Sequence, residues 1–240
     1  MEKQHFEIDG KQVEVYGCLE HNQPIIYLNT FERQNSIYQM VTERTNRKFS
    51  LVIIDKLNWN HDMSPWGIPP IAKDDTPCTG GANDYLRILV EKIIPAAERR
   101  IQGTPLWRGI VGYSLAGLFA VYSLYQTDLF ARVASVSGSL WFPNITEYIE
   151  THNFRRTPEC VYFSLGDKER NTNNLFLKSV QYNTERIKAY YAAQGIVTAF
   201  VMNKGNHFQD AALRTAKGII WMLENKTEEC LHGRTDNQRD

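Results

Sequence analysis

The chain lacks any run of roughly 18 apolar residues, has no CxxC pair and no HExxH motif, and carries no net charge. Its 240 residues hold 27 Lys plus Arg against 27 Asp plus Glu. Each absence removes a class of function. Without a long apolar run no membrane-spanning helix is expected. Balanced charge gives no reason to expect nucleic acid or an anionic membrane surface as a partner. Without HExxH or a compact His/Cys ligand set, neither a metal site nor any other cofactor is expected. Cys18, Cys78, Cys160 and Cys230 lie far apart, and the opening MEKQHFEIDG has no apolar signal region. A reduced, cytoplasmic protein is the expectation, and its balanced surface is compatible with a homo-oligomer. The sequence has no internal repeat and no low-complexity block.

What is present suffices for a core. With 42% apolar and 12% aromatic residues, one domain over residues 1–225 is expected, followed by a polar, flexible tail over 226–240, KTEECLHGRTDNQRD. HFEIDGKQVEVYGCL alternates around Asp9-Gly10, a strong signal for a tight hairpin. Short apolar runs then alternate with helical periods. The expected strands are PIIYLNTF, SLVIID, LWRGIVGYS, ARVASVSGS, CVYFSLG and VTAFVMN. The expected helices are NSIYQMVTERTNRK, NDYLRILVEKIIPAAERRI, LAGLFAVYSLYQ, NLFLKSVQYNTERIKAYYAAQG and FQDAALRTAKGIIWMLENK. Strands that are apolar nearly throughout and alternate with helices imply a mostly parallel sheet with helices on both faces, here with an N-terminal antiparallel hairpin. In such α/β sheets the functional groups gather at the carboxyl ends of the strands.

One joint stands out. In WRGIVGYSLAGLFAVYSLY the strand passes straight into a helix with Ser114 at the turn, between Gly112 and Ala116-Gly117. This matches a nucleophile elbow, in which a sharp turn lifts Oγ out of the sheet and small neighbours allow tight packing. The string is common by chance, and its place on a strand-to-helix joint is what carries the reading. A serine nucleophile needs a base and an orienting acid, following in the order Ser, acid, His. Of the six histidines, His207 alone falls between the last strand and the last helix. His61 is a weaker candidate because it precedes the serine, and His5, His21, His152 and His232 fall on a hairpin, a turn, a linker and the tail. Two carboxylates follow the strand CVYFSLG, Asp167 and Glu169. The longer side chain two residues further on favours Glu169, with Asp167 as the alternative acid.

The order and spacing of IIYLNTF, NDYLRILVEKIIP, GYSLAG, SVSGSLWFP, YFSLGDKE and GNHF, from about residue 24 to residue 223, resemble the putative esterase family of the α/β-hydrolase fold. That family includes enterochelin (siderophore) esterases and lies near esterase D and the mycolyltransferases. The resemblance implies the α/β-hydrolase fold, Ser114 as nucleophile, His207 as base and an acid in GDKE that looks most like Glu169. It also implies an oxyanion hole from the amides of Leu115 and Phe31, although Asn29-Thr30 stands where the family has Asp-Gly. Trp141, after a strand end, is implied as a pocket residue, and Trp59 and Trp66 in the long loop KLNWNHDMSPWGIPPIAKDDTPCTGG are candidates to wall the same pocket. No insertion is long enough for a large lid, so an open pocket and a small-molecule ester substrate are expected. The functional readings are a serine hydrolase of carboxylic esters, an acyltransferase on the same scaffold, and a non-catalytic binding protein that keeps the fold.

Overall fold

At Asp9-Gly10 the chain reverses direction within two residues, both with positive φ, 48° and 76°. This is the backbone a primed hairpin turn demands and the reason the pair reads so clearly in sequence. The turn joins β1 (Lys3–Ile8) to β2 (Lys11–Tyr16), with Ile8 opposite Lys11. The computed structural model describes residues 3–17, 22–32, 36–73 and 75–225. Cys18, His21, Cys230, His232 and the segment 226–240 lie outside the described residues.

The remaining strands follow in chain order as β3 (Ile25–Asn29), β4 (Ser50–Asp55), β5 (Gly67–Ile68), β6 (Cys78–Thr79), β7 (Arg108–Tyr113), β8 (Arg132–Val136), β9 (Cys160–Gly166) and β10 (Val197–Asn203). Among the described residues the main sheet has eight strands in the order β1-β2-β4-β3-β7-β8-β9-β10. The pairs β1–β2 and β2–β4 are antiparallel and the other neighbours are parallel. Every residue of β3, β4, β8 and β9 is buried, as strands covered on both faces must be. β1, at one edge, alternates between exposed and half-buried residues.

The helices are α1 (Ile37–Thr42), α2 (Trp59–Asp62), α3 (Ala82–Ile88), α4 (Ile94–Glu98), α5 (Leu115–Ser123), α6 (Ile145–Thr151), α7 (Leu175–Lys178), α8 (Val180–Ala193) and α9 (Ala211–Glu224). Side chains of α3 to α6 and α8 build the core on one face of the sheet. Those of α1 and α9 build it on the other. The layered α/β architecture expected from the alternating pattern is therefore present. Among the described residues no helix is long and apolar enough to cross a membrane.

The helix expected over NLFLKSVQYNTERIKAYYAAQG is split into α7 and α8, and α2 and the β5–β6 pair form within the expected long loop; three further departures have local causes. The helix expected over NSIYQMVTERTNRK is confined to α1, because nothing apolar follows Val41 at helical spacing to bury against the sheet. The single long helix expected over residues 83–101 is interrupted by a π-helical turn at Leu89–Ile93. Pro95 explains it, since proline has no amide to donate and its ring crowds the carbonyl one turn back. The short α6, with Ile145 and Ile149 as its buried residues, has too few turns to give a periodic signal.

Beneath β3 and β7 a polar knot ties the α4 helix to the sheet. The Glu98 carboxylate accepts from Arg108 Nε at 2.6 Å and Nη2 at 2.8 Å, and from the Tyr27 hydroxyl at 2.8 Å. Tyr27 is fully buried, so its hydroxyl has no access to water in exchange. Glu98→Ala should lower stability by about 1–3 kcal/mol, because a buried donor is stranded when its acceptor is removed. The midpoint of urea unfolding, at unchanged slope, measures this.

Candidate active site

The carboxyl ends of β3, β7, β8, β9 and β10 lie along one rim of the sheet, and the residues singled out in sequence converge there. At the end of β7, Ser114 has φ 59° and ψ −125°, a conformation that costs a non-glycine residue of order 1–3 kcal/mol and persists only when its surroundings over-determine it. They do so here. The Ser114 amide donates to Val136 O at 3.1 Å, and its carbonyl accepts from the amides of Gly117, Ser139 and Leu118 at 2.9, 3.0 and 3.2 Å. The small neighbours are required sterically. A Cβ on Gly112 would lie 2.2 Å from the backbone of Ala116, and one on Gly117 would lie 2.9 Å from Gly138 Cα. The elbow thus presents Ser114 Oγ above the rim while its backbone is fixed to β8 and α5.

A chain of hydrogen bonds runs from that oxygen. Ser114 Oγ is 3.0 Å from His207 Nε2, and His207 Nδ1 is 2.8 Å from Glu169 Oε2. Glu169 Oε1 accepts from the Gly166 amide at 2.6 Å, from Ser137 Oγ at 2.7 Å and from Arg214 Nη1 at 3.1 Å. Burial opposes the charge on Glu169. The hydrogen bond and charge of His207, the Gly166 amide and the Ser137 hydroxyl outweigh it and hold the carboxyl below its ordinary value of 4.5.

Asp167, the competing carboxylate, does a different job. Its Oδ1 accepts from the Gly205 amide at 2.8 Å and its own amide donates to Asn203 O at 2.8 Å. Asp167 therefore binds the turn after β9 to the loop after β10, which carries His207. The two loops pack so closely that a Cβ on Gly166 would lie 2.3 Å from the Gly205 carbonyl. Gly205 itself has φ 104°, a value that favours glycine. His61 stands apart, with Nδ1 2.7 Å from Thr79 Oγ1.

Three side chains at this rim carry no signal in the sequence. Arg214, on the first turn of α9, is 1% exposed; its Nη1 also reaches Ser137 Oγ at 3.2 Å and the Tyr113 hydroxyl at 3.3 Å, and its Nη2 donates to Lys204 O at 3.0 Å. The Tyr113 hydroxyl donates to the His207 carbonyl at 2.6 Å, and burial pushes its pKa up, which keeps it a neutral donor. Ser137, with φ 44°, sits at the end of β8.

Two cavities open on either side of Ser114 and His207. One, of about 520 Å³, has Trp59, Trp141, Ile68 and Val180 among its wall residues. The other, of about 380 Å³, is walled by Phe31, Ile37, Tyr113 and Ala212 among others. Trp59 and Phe208 border both. Trp66, expected to join the pocket wall, does not. Its indole donates to Pro143 O at 3.2 Å and packs against Phe142, Tyr148 and Tyr122 in the core, because an aromatic ring buries more surface among other rings than at an open rim. The amides of Leu115 and Phe31 donate to no protein acceptor among the described residues. Thr30 has no positive φ, and its amide pairs with Ile54 O at 3.0 Å. Among the described residues no three His, Cys, Asp or Glu side chains are grouped to hold a metal ion.

A model of the family described as "Putative esterase" matches residues 25–209. The uncharacterized protein YbbA of Bacillus subtilis (strain 168) is 26% identical over 147 residues, which is 60% of this chain and 58% of that protein. This chain thus spans less than two thirds of that relative. An IroE-like serine hydrolase from Shewanella oneidensis matches with a TM-score of 0.74 at 16% identity, over 92% of this chain and 79% of that one. The siderophore hydrolase EstA from Aspergillus nidulans matches with a TM-score of 0.66 at 17% identity, over 92% of both chains. At such identities the likeness establishes the fold, that of the α/β-hydrolases.

The buried network makes two quantitative expectations. Arg214→Met removes the cation behind Glu169 and should cost on the order of 3 kcal/mol of stability, the usual loss when one member of a buried ion pair is deleted, read from urea unfolding at neutral pH. The second concerns acid. A carboxyl with a lowered folded pKa contributes stability that is fully present above its unfolded value and is lost as the pH falls through the folded one. The stability difference between wild type and Glu169→Gln should therefore shrink as the pH drops from about 5 towards 3, in unfolding curves taken at each pH.

Proposed function

The chain belongs to the putative esterase family, matched over residues 25–209, and from that premise we propose that it is a serine hydrolase that cleaves carboxylic esters through an acyl-serine intermediate. Family membership supports ester hydrolysis as the general activity. The finer reading rests on one observation, the unbroken chain from Ser114 Oγ through both nitrogens of His207 to Glu169, with steps of 3.0 and 2.8 Å.

In this reading Ser114 Oγ attacks the ester carbonyl while His207 Nε2 takes its proton. Glu169 holds the Nδ1–H tautomer and stabilises the imidazolium that forms. The oxygen that becomes negative is received by the amides of Leu115 and Phe31, each such donor contributing on the order of 3 kcal/mol to the transition state. His207 then returns the proton to the leaving alkoxide, and water, activated by the same histidine, releases the acid and frees Ser114. Tyr113 and Arg214 act through other groups, fixing the His207 backbone and the Glu169 carboxylate.

Ser114→Ala should reduce turnover of a short p-nitrophenyl ester by several orders of magnitude and abolish labelling by a fluorophosphonate probe. Near wild-type turnover in that variant sinks the mechanism. Glu169→Gln should lower turnover about 10²- to 10⁴-fold. Asp167→Asn keeps an oxygen to accept from Gly205 and should have the milder effect. The opposite order would transfer the role of acid to Asp167.

A further inference from the structure

The two cavities beside Ser114 are unlike a single pocket with an open mouth. Each, at about 520 and 380 Å³, lies within the range of roughly 300–1,000 Å³ typical of complete small-molecule sites. They meet at the nucleophile, so a bound ester whose carbonyl sits over Ser114 Oγ directs one half of itself into each. The smaller is mostly apolar, walled by Phe31, Ile37, Ala211 and Ala212. The larger offers Trp141, Ile68, Ile71 and Leu177. Phe208, 88% exposed, borders both cavities, and Phe31, 65% exposed, lines the smaller; ring surface left in water there gains from being covered.

Charge narrows the substrate further. Among the described wall residues of both cavities there is no Lys or Arg. The carboxylates there are Glu32 in the smaller, Asp75 in the larger, and Glu169, which is already held by its four donors. Glu32 and Asp75 make no ion pair among the described residues. Lys73 and Lys178, each close in sequence to a wall residue of the larger cavity, are exposed and belong to neither wall. An anionic group entering either cavity meets like charge with no compensating cation among the described wall residues.

Building on the hydrolase reading above, we infer that the substrate is an ester with a bulky apolar or aromatic group on each side of the scissile carbonyl and no negative charge on either group. A neutral or cationic diaryl-type ester fits, whereas a carboxylated or multiply anionic ester is discriminated against.

The test compares kcat/KM of the full chain on benzyl 3-phenylpropanoate with that on ethyl 3-phenylpropanoate and benzyl acetate, each of which vacates one cavity. It adds the two analogues bearing a para-carboxylate on either ring. The two-sided neutral ester should exceed each truncated ester by about tenfold or more, and each carboxylated analogue by about fivefold or more. In the Glu32→Lys/Asp75→Lys double variant the ratio of neutral to carboxylated turnover should fall below one. Equal turnover of either truncated ester overturns the two-sided site, and faster turnover of the carboxylated analogues overturns the charge selection. Turnover of p-nitrophenyl acetate with none of the benzyl series overturns this inference alone. Failure on p-nitrophenyl acetate together with absent fluorophosphonate labelling overturns the hydrolase reading and this one with it.

Discussion

A carboxylate taken out of water must be met by donors on nearly every lone pair, and Glu169 imposes that demand on the whole functional rim. Uncompensated, such a burial costs several kcal/mol. Its four donors come from four places: the Gly166 amide at the end of β9, Ser137 at the end of β8, His207 in the loop after β10, and Arg214 on α9. Satisfying one anion therefore fixes the relative position of three strand ends and a helix. Asp167, bonded to Gly205, adds a second tie between two of the same loops. The imidazole is held from its backbone by Tyr113 and from its ring by Glu169, so its orientation is a by-product of solving the burial problem.

How much of this could be read from the chain depends on how local the cause is. The hairpin at Asp9-Gly10 was legible because two residues alone determine the turn. The buried strands were legible because burial on both faces demands continuous apolar runs. Ser114, His207 and Glu169 were marked by their places at strand ends, and the structure brings them within hydrogen-bond reach of one another. Arg214 was illegible for the opposite reason. In AALRTAKG an arginine reads as part of a solvated face, and only the tertiary arrangement turns it inward onto Glu169. Trp66 was misplaced because a loop tryptophan carries no sign of which neighbours it will meet. Trp59 and Trp141, from the same kinds of segment, do border the cavity.

The long segment between β4 and α3 is tied together by its own hydrogen bonds. Asn60 Nδ2 donates to Thr76 O at 3.1 Å, the Gly80 amide to Ser64 Oγ at 2.9 Å, and the Gly81 amide to His61 O at 2.8 Å. Asp62 is anchored to the sheet through Lys11. These contacts fold the segment onto itself around α2 and the β5–β6 pair, so it forms a wall of the cleft with its own scaffold. A cleft with such a wall meets a ligand with little further ordering to do, which limits the entropic cost of binding.

The hydrogen-bonded chain at the rim also has a meaning in time. Ser114 and His207 are 93 residues apart in sequence, and Glu169 and His207 are 38 apart. No local segment can bring them together; β7, β8, β9 and β10 must first pair in parallel, each pairing closing a loop that spans a crossover. A nascent or refolding chain can thus hold most of its helices and several strands while its Ser114 hydroxyl faces only water. Completion of the site requires the docking of β10 and of α9 as well as the earlier strands, so a formed site reports that the parallel half of the sheet has assembled.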